Sequence, residues 1–298
     1  MSTATAFRIV RPLPRSVPPF PGETEKSYLH RLSRINQVPV PRLLDPSHWL
    51  GSGWDELDRL SLVSGQPRDR LIAAMPEARR RANESLHPYA PEGGRGFKPR
   101  QACRRCVAAR TGNRDLPVTA WMSAAHHVCL RHQLWLTIHT EPARYQFDVS
   151  GLPEIARAQR RHYRLMRRRG PVTVAGCYTY GGKLWRYLSG RHYHVSGRNR
   201  RLEHLQLADD YHERLLALQA ADYPEVVEII SIFSSPHLRR FALSRDSRDL
   251  DEFRCEFQRR LPQEESRTPL DLSRLNRQLK SLAEQIEICA RHDVKEER

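Results

Sequence analysis

Four residues of this chain have the types and spacing to hold a metal ion. Cys103 and Cys106 stand as C-x-x-C, and after 22 intervening residues Cys129 and His132 stand as C-x-x-H. Each pair offers two donors to one ion, and three thiolates with one imidazole fill the tetrahedral shell that zinc prefers. The 22-residue span exceeds that of a C₂H₂ finger, which points to a zinc-ribbon or treble-clef-like knuckle instead of a DNA-reading finger. Catalytic zinc sites keep three protein ligands and an open position, whereas four good ligands close the shell. No H-E-x-x-H is present, and no Glu stands beside Cys103 or Cys129 for the acid–base work of a deaminase. One structural zinc ion is expected on Cys103, Cys106, Cys129 and His132, with His126 and His127 as supporting or surface groups.

Composition sets the partner class. Lys and Arg number 50 against 34 Asp and Glu, a formal charge of +16 over 298 residues, and Arg dominates the positive side. The planar guanidinium suits bidentate phosphate contact and stacking, so the balance favours a nucleic acid over a membrane surface. The plain alternative is an arginine-rich soluble protein with no such partner. No apolar run is long enough to span a bilayer and no signal-peptide core is present, so a cytoplasmic protein is expected. Cys177, Cys255 and Cys289 stand singly and suggest no disulfide framework, which fits a reducing compartment.

The elements that must position these residues read as mainly α: helix-turn-helix-like units around a small zinc module, followed by a helical C-terminal domain. The expected division is a Pro-rich arm (1–22), an N-terminal helical region (23–92), the zinc module (93–140), a helical domain (153–290) and a charged tail (291–298). Thr24 is a candidate N-cap for a helix running to about Asn36, with Tyr28, Leu29, Leu32 and Ile35 on one face and Lys26, His30, Arg31 and Arg34 on the other. Asp55 can cap a helix carrying Leu57, Leu60 and Val63. The turn Ser64–Pro67 then leads to a second helix with Leu71, Ile72 and Met75, ended by Pro76. In a DNA reader that second helix would present Gln66, Arg68, Asp69 and Arg70, but Asp58 and Asp69 weaken this reading and favour an ordinary packed helical hairpin.

Arg104 and Arg105 lie in a run from Arg95 to Arg114 with seven Lys and Arg and no acid, approached through Gly93, Gly94 and Gly96. Trp121, Val128, Leu130, Leu134 and Leu136 are expected to form the small core of the metal module, and Trp121 and Trp135 to pack there in preference to stacking on bases. From Pro153 to Arg169 the spacing predicts a strongly basic helix with Ile155, Ala158, Leu165 and Met166 as its apolar side. Its arginines, Arg157, Arg160, Arg161, Arg164, Arg167 and Arg168, repel one another at i,i+3 and i,i+4, and the arrangement makes most sense facing a polyanion. Residues 171–200 fit either a hairpin turning at Gly181-Gly182 or a core helix. Helices are expected over Leu205–Ala220, from Pro224 to Phe233, and from Pro236. A last one after Thr268 carries Leu272, Leu275, Leu279, Leu282, Ile286 and Cys289 in a heptad seam. That seam is under three heptads long, which favours packing on its own domain over a homodimer.

The stretch Pro21-Gly22-Glu23-Thr24 leading into Leu29-His30-Arg31-Leu32 and Asn36 resembles the N-terminal signature of the TniQ family. The helical pair Leu57–Met75 resembles that family's next segment, and Cys103/Cys106 with Cys129/His132, with Trp121 between them, resembles its zinc knuckle. The resemblance covers about residues 17–140. One departure is Arg104, where the family usually has Pro, in an unusually basic knuckle. The resemblance implies a target-selecting adaptor of DNA transposition, linking target DNA or an RNA-guided CRISPR effector to an AAA+ ATPase regulator. It also implies that the zinc module is a scaffold and the arginine helix a nucleic-acid contact. The competing readings are a stand-alone zinc-containing DNA-binding regulator and a zinc nuclease or deaminase. No P-loop, G-x-S-x-G, dinucleotide fingerprint or carboxylate triplet is present, so no enzyme is expected.

Overall fold

The computed structural model of the chain describes residues 11–43, 55–82, 97–136, 145–189, 196–205, 210–261 and six positions between 277 and 286. The start of the Pro-rich arm, the glycines before Phe97 and most of the heptad helix lie outside the described residues. Among these residues the fold is mainly α, with twelve helices and four short strands. They form two compact units. One runs to Ser123 and includes 136–146; the other comprises Ala124–Trp135 and the chain from Phe147 onward.

The first unit begins with α1 (Glu25–Asn36), α2 (Val40–Leu43), α3 (Glu56–Ser64), α4 (Arg68–Ala74) and α5 (Pro76–Arg81). Thr24 caps α1 by accepting the Ser27 N–H at 3.2 Å, and Asp55 caps α3 by accepting the Asp58 N–H at 2.6 Å, both at the positions expected from sequence. Tyr28, Leu32, Leu57, Leu60, Val63, Leu71 and Met75 share one buried cluster, which fixes these helices on their apolar faces. Pro76 ends α4 as anticipated, but it also opens α5, since a proline at the first helical position loses no bond. Arg31 departs from its expected polar face and is buried.

Two strands follow in this unit, β1 (Phe97–Gln101) and β2 (Thr119–Ser123), with α6 (Arg104–Thr111) between them. The strands pair antiparallel in the register Phe97↔Ser123 to Gln101↔Thr119. Residues 22–24 dock along β2, where the Trp121 N–H donates to Gly22 O at 2.7 Å and the Thr24 N–H donates to Thr119 O at 2.9 Å. Gly22 has φ +75°, and a Cβ there would lie 3.0 Å from the Trp121 carbonyl oxygen. No other residue fits that conformation and that approach equally well. Phe20, Val107, Leu116 and Val118 pack under this small sheet.

The second unit holds a hairpin of β3 (Val128–Cys129) and β4 (Leu134–Trp135), then α7 (Pro153–Arg169), α8 (Pro171–Ser189), α9 (Ser196–Leu205), α10 (Tyr211–Phe233), α11 (Pro236–Leu243) and α12 (Ser247–Arg260). The choice left open for 171–200 resolves to helix at α8, and Gly181 is part of the reason. A Cβ at Gly181 would sit 3.0 Å from Ile229 Cγ2, so its absence lets α8 lie close on α10. Three helical expectations need correction. Leu205 ends α9 instead of opening a helix, the next helix starts at Tyr211 under an Asp210 cap, and Pro224 lies inside α10 instead of starting a new one. The proline leaves Ala220 without its i+4 donor. Burial of Leu216, Ala220, Val227, Ile230 and Phe233 on the same helix outweighs that loss. α12, capped by Asp246, has no counterpart in the sequence reading. Of the heptad positions, Ile286 is described, and it is buried with Ala283 in this unit's core, in keeping with packing on its own domain.

Arg201 links α9 to α10. Its Nε donates to Ala221 O at 2.7 Å and its guanidinium donates to both Glu225 oxygens at 2.5 and 2.6 Å. Burial pushes the Glu225 carboxyl above its ordinary value, with Arg201 pulling the other way. Native Glu225 therefore holds its proton more tightly than the unfolded chain does. Its contribution to stability is full below the unfolded value and is lost as pH rises through the raised native one. Relative to Glu225→Gln, the wild-type protein should gain stability as pH falls from neutral toward the ordinary carboxyl range. Differential scanning fluorimetry would read this as a widening gap in melting temperature, and a constant gap would count against burial as the dominant cause.

Candidate metal centre and arginine face

Cys103 is the N-cap residue of α6 and Cys106 lies in its first turn, where the Val107 N–H donates to Cys103 O at 2.9 Å. A helix N-terminus favours thiolate over thiol, the form that binds metal. Cys129 and His132 flank the β3–β4 turn, which closes with the His132 N–H on Cys129 O at 3.2 Å and Gln133 at φ 49°. One pair on a helix N-terminus and one on a hairpin turn is the treble-clef-like alternative, since a ribbon would set both pairs on hairpins.

The four ligand atoms lie within 4.8 Å of one another, and Cys129 Sγ stands 3.7 Å from His132 Nδ1. A tetrahedral zinc with bonds of about 2.3 Å to sulfur and about 2.0 Å to nitrogen sets ligand–ligand edges of roughly 3.6–3.8 Å. The observed spacing and the S₃N donor set therefore fit zinc, and all four predicted ligands come together. Cys103 and Cys129 are buried, and Cys106 and His132 half-buried. When bound, the ion would act as a cross-link between the two short motifs, with its shell filled by protein.

Sequence reasoning missed the group that shapes the first ligand loop. Gln146 is buried, its Oε1 accepts the Arg104 N–H at 2.9 Å, and its Nε2 donates to Ala102 O at 2.9 Å. It thereby clamps the backbone on both sides of Cys103. Nothing in a lone Gln 42 residues after Arg104 signals this role. Gln159 does similar work for the hairpin, accepting the N–H groups of His127 and Val128 at 2.9 Å each and donating to Ala125 O at 2.6 Å. His127 is buried among Trp135, His162, Tyr178 and Tyr223, and His126 pairs with the Tyr163 hydroxyl. Trp135 is buried as expected, but with Val128 it belongs to the core of the second unit and not to a core of the metal module's own. Trp121 is only half-buried and donates its Nε1–H to Glu77 at 2.7 Å, which corrects its assignment to the apolar core.

A second missed feature lies in the signature stretch itself. Glu23 is 0% and Arg31 2% exposed, joined by Nε and Nη2 at 2.8 and 2.7 Å to the two carboxylate oxygens. Glu23 also accepts the Phe20 N–H and the Ser27 hydroxyl, each at 3.0 Å, and Arg31 donates to Pro18 O at 2.9 Å and lies over the Phe20 ring. The i,i+8 spacing of Glu23 and Arg31 matches no simple helical rule, because Glu23 precedes the helix that carries Arg31.

Of the four residues that α4 and its turn would present to DNA, Asp69 and Arg70 are exposed and the other two are engaged. Gln66 is buried and donates to Ser16 Oγ at 2.5 Å, and Arg68 is engaged by Asp55 at 2.9 Å and Asp58 at 2.5 Å. The Asp58 N–H, and then Arg68, hold the Asp55 carboxyl below its usual range. α7 differs. Arg157, Arg160, Arg164, Arg167 and Arg168 are exposed, and no ion pair engages them among the described residues. Arg161 turns inward instead, to Glu228 and to Ser231 Oγ. Arg105 is exposed on α6 and Arg104 half-buried.

Residues 14–136 match the family model TniQ, a span that holds the Glu23–Arg31 pair and all four metal ligands. No curated protein and no solved structure matches the chain.

Proposed function

We propose, from the match of residues 14–136 to the TniQ family model, that the chain is a non-enzymatic target-selection adaptor in DNA transposition. It joins target DNA, or an RNA-guided complex standing on it, to an AAA+ ATPase regulator of the transposase. The metal centre serves as scaffold, and α7 meets the nucleic acid through Arg157, Arg160, Arg164, Arg167 and Arg168, with Arg104 and Arg105 of α6 as a further contact. Arg161, being ion-paired, holds the helix in place. The family match carries this reading. The exposed arginine face supports it, because a row of like charges with no ion pair among the described residues costs stability unless a polyanion meets it. The burial of Gln66 and the pairing of Arg68 with two acids at the surface speak against the alternative of a stand-alone regulator reading DNA through α4.

The adaptor role is tested by recovering the tagged full chain from its native cells with and without nuclease. Co-recovery of an AAA+ ATPase that survives nuclease supports it, and duplex DNA as the sole partner overturns it. The α7 interaction has its own test. Replacing Arg157, Arg160 and Arg164 with Ala should reduce the slope of log affinity against log salt for duplex DNA by about 3, near 0.9 for each phosphate that is no longer neutralised. An unchanged slope by fluorescence anisotropy would make α7 a solvated face.

A further inference from the structure

The second unit bears a cleft of about 520 Å³, open to solvent on one side, lined by α7, α8, α10 and the end of α12. That is within the roughly 300–1,000 Å³ of small-molecule sites. Its lining is divided by charge. Exposed Arg157, Arg160 and Arg164 stand on α7, the helix that also carries Glu154 at its first turn. The less exposed groups are acidic or already matched: Arg161 is spent on Glu228 and Ser231, and Arg260 on Glu256 at 2.5 Å and Ser231 Oγ at 2.8 Å. Glu154 Oε1 is buried without a hydrogen bond, its nearest cations being Arg200 at 3.7 Å and Arg201 at 4.0 Å. Glu228 gives one oxygen to Arg161. Apolar surface from Ala158, Val227 and Leu261 completes the wall.

This layout selects against simple ions. A ligand anionic throughout would meet Glu154 and Glu228, and a bare cation would meet three guanidinium groups. A ligand with an anionic end, a flat apolar body and N–H donors at the other end satisfies every part. We infer that the cavity takes a single nucleotide, with its own phosphate and, in a strand, the neighbouring phosphates along Arg157, Arg160 and Arg164, and the amine-bearing edge of its base on Glu154 and Glu228. The inference rests on the reading of α7 as a nucleic-acid contact and adds that one base is taken out of the stack. A nucleotide of a bound strand and a free mononucleotide share this chemistry.

The experiment uses the full chain and compares a short single strand of deoxycytidines with an abasic strand of equal phosphate count. Two variants, Ala158→Leu and Ala158→Phe, fill the cavity without changing charge, and circular dichroism confirms that each is folded. The wild-type protein should bind the deoxycytidine strand about tenfold more tightly than the abasic one, the size of one base contact. The filled variants should lose that advantage and keep wild-type affinity for the abasic strand. Equal binding of both strands by the wild-type protein, or an advantage that survives in both filled variants, overturns the pocket and leaves the α7 interaction standing. If neither strand binds, the α7 interaction fails, and saturation-transfer NMR with cytidine monophosphate decides the pocket alone. Transfer that is lost on filling supports a free nucleotide as ligand, and no transfer overturns the inference.

Discussion

Purified full-length protein is expected to hold about one zinc per chain, and Cys103→Ser or Cys129→Ser to lose it together with the local structure of α6 and the β3–β4 turn. The effect should be large because the binding energy of a four-ligand zinc, about 10–16 kcal/mol in finger peptides, is spent on folding. Without the ion the first turn keeps the Gln146 clamp and the hairpin keeps Gln159 and its buried Val128 and Trp135, so the loss should be confined to the ligand turns. Elemental analysis beside thermal melts checks this, and stoichiometric zinc retained in both variants would sink the assignment. Gln146→Ala gives a graded control. All four ligands stay, but the clamp on the Ala102 carbonyl and the Arg104 amide is gone, so metal affinity should fall about 10–100-fold.

Glu23→Ala should be nearly as damaging for a different reason. It leaves the Arg31 guanidinium buried with its charge unmatched, and strips acceptors from the Phe20 amide and the Ser27 hydroxyl. Removing one partner of such a pair costs about 3–5 kcal/mol, whereas removing both can be far milder. The double variant Glu23→Leu/Arg31→Met should therefore recover much of the stability lost by Glu23→Ala. Urea unfolding followed by circular dichroism measures all three proteins. A single-variant loss below about 1 kcal/mol would place the pair among ordinary surface bridges.

Short-range rules were readable in the chain wherever a residue acts on its near neighbours. The caps Thr24 and Asp55, the apolar seams of α1, α3 and α7, and the ligand quartet all follow from spacings of two to four residues or from paired motifs. What escaped depends on distant partners. Arg31 sits on a helix face that reads as polar, and only the carboxylate delivered by the preceding turn makes its burial tolerable. Pro224 reads as a helix start, since that is where proline is commonly found, yet the apolar residues on both sides of it bury together and carry α10 through. Gln146 and Gln159 bond to backbone groups more than 30 residues away, which composition and periodicity do not register. Among the arginines of α7, spacing could not tell the one that pairs inward, Arg161, from those that face solvent.

The family match ends at residue 136, but the side chains just before that point have other commitments. Val128 and Trp135 are buried in the same cluster as Val149, Ile155, Val174 and Tyr223, all beyond the match. The matched span and the compact units thus have different boundaries. Shuffling of the helical half between related chains would need the hairpin 124–135 to travel with it and to bring a Cys and a His that complete the site on Cys103 and Cys106. The break would have to fall before Ala124 and again near Phe147. A junction at 136 would strand a tryptophan in water and leave a hole in the helices meant to receive it.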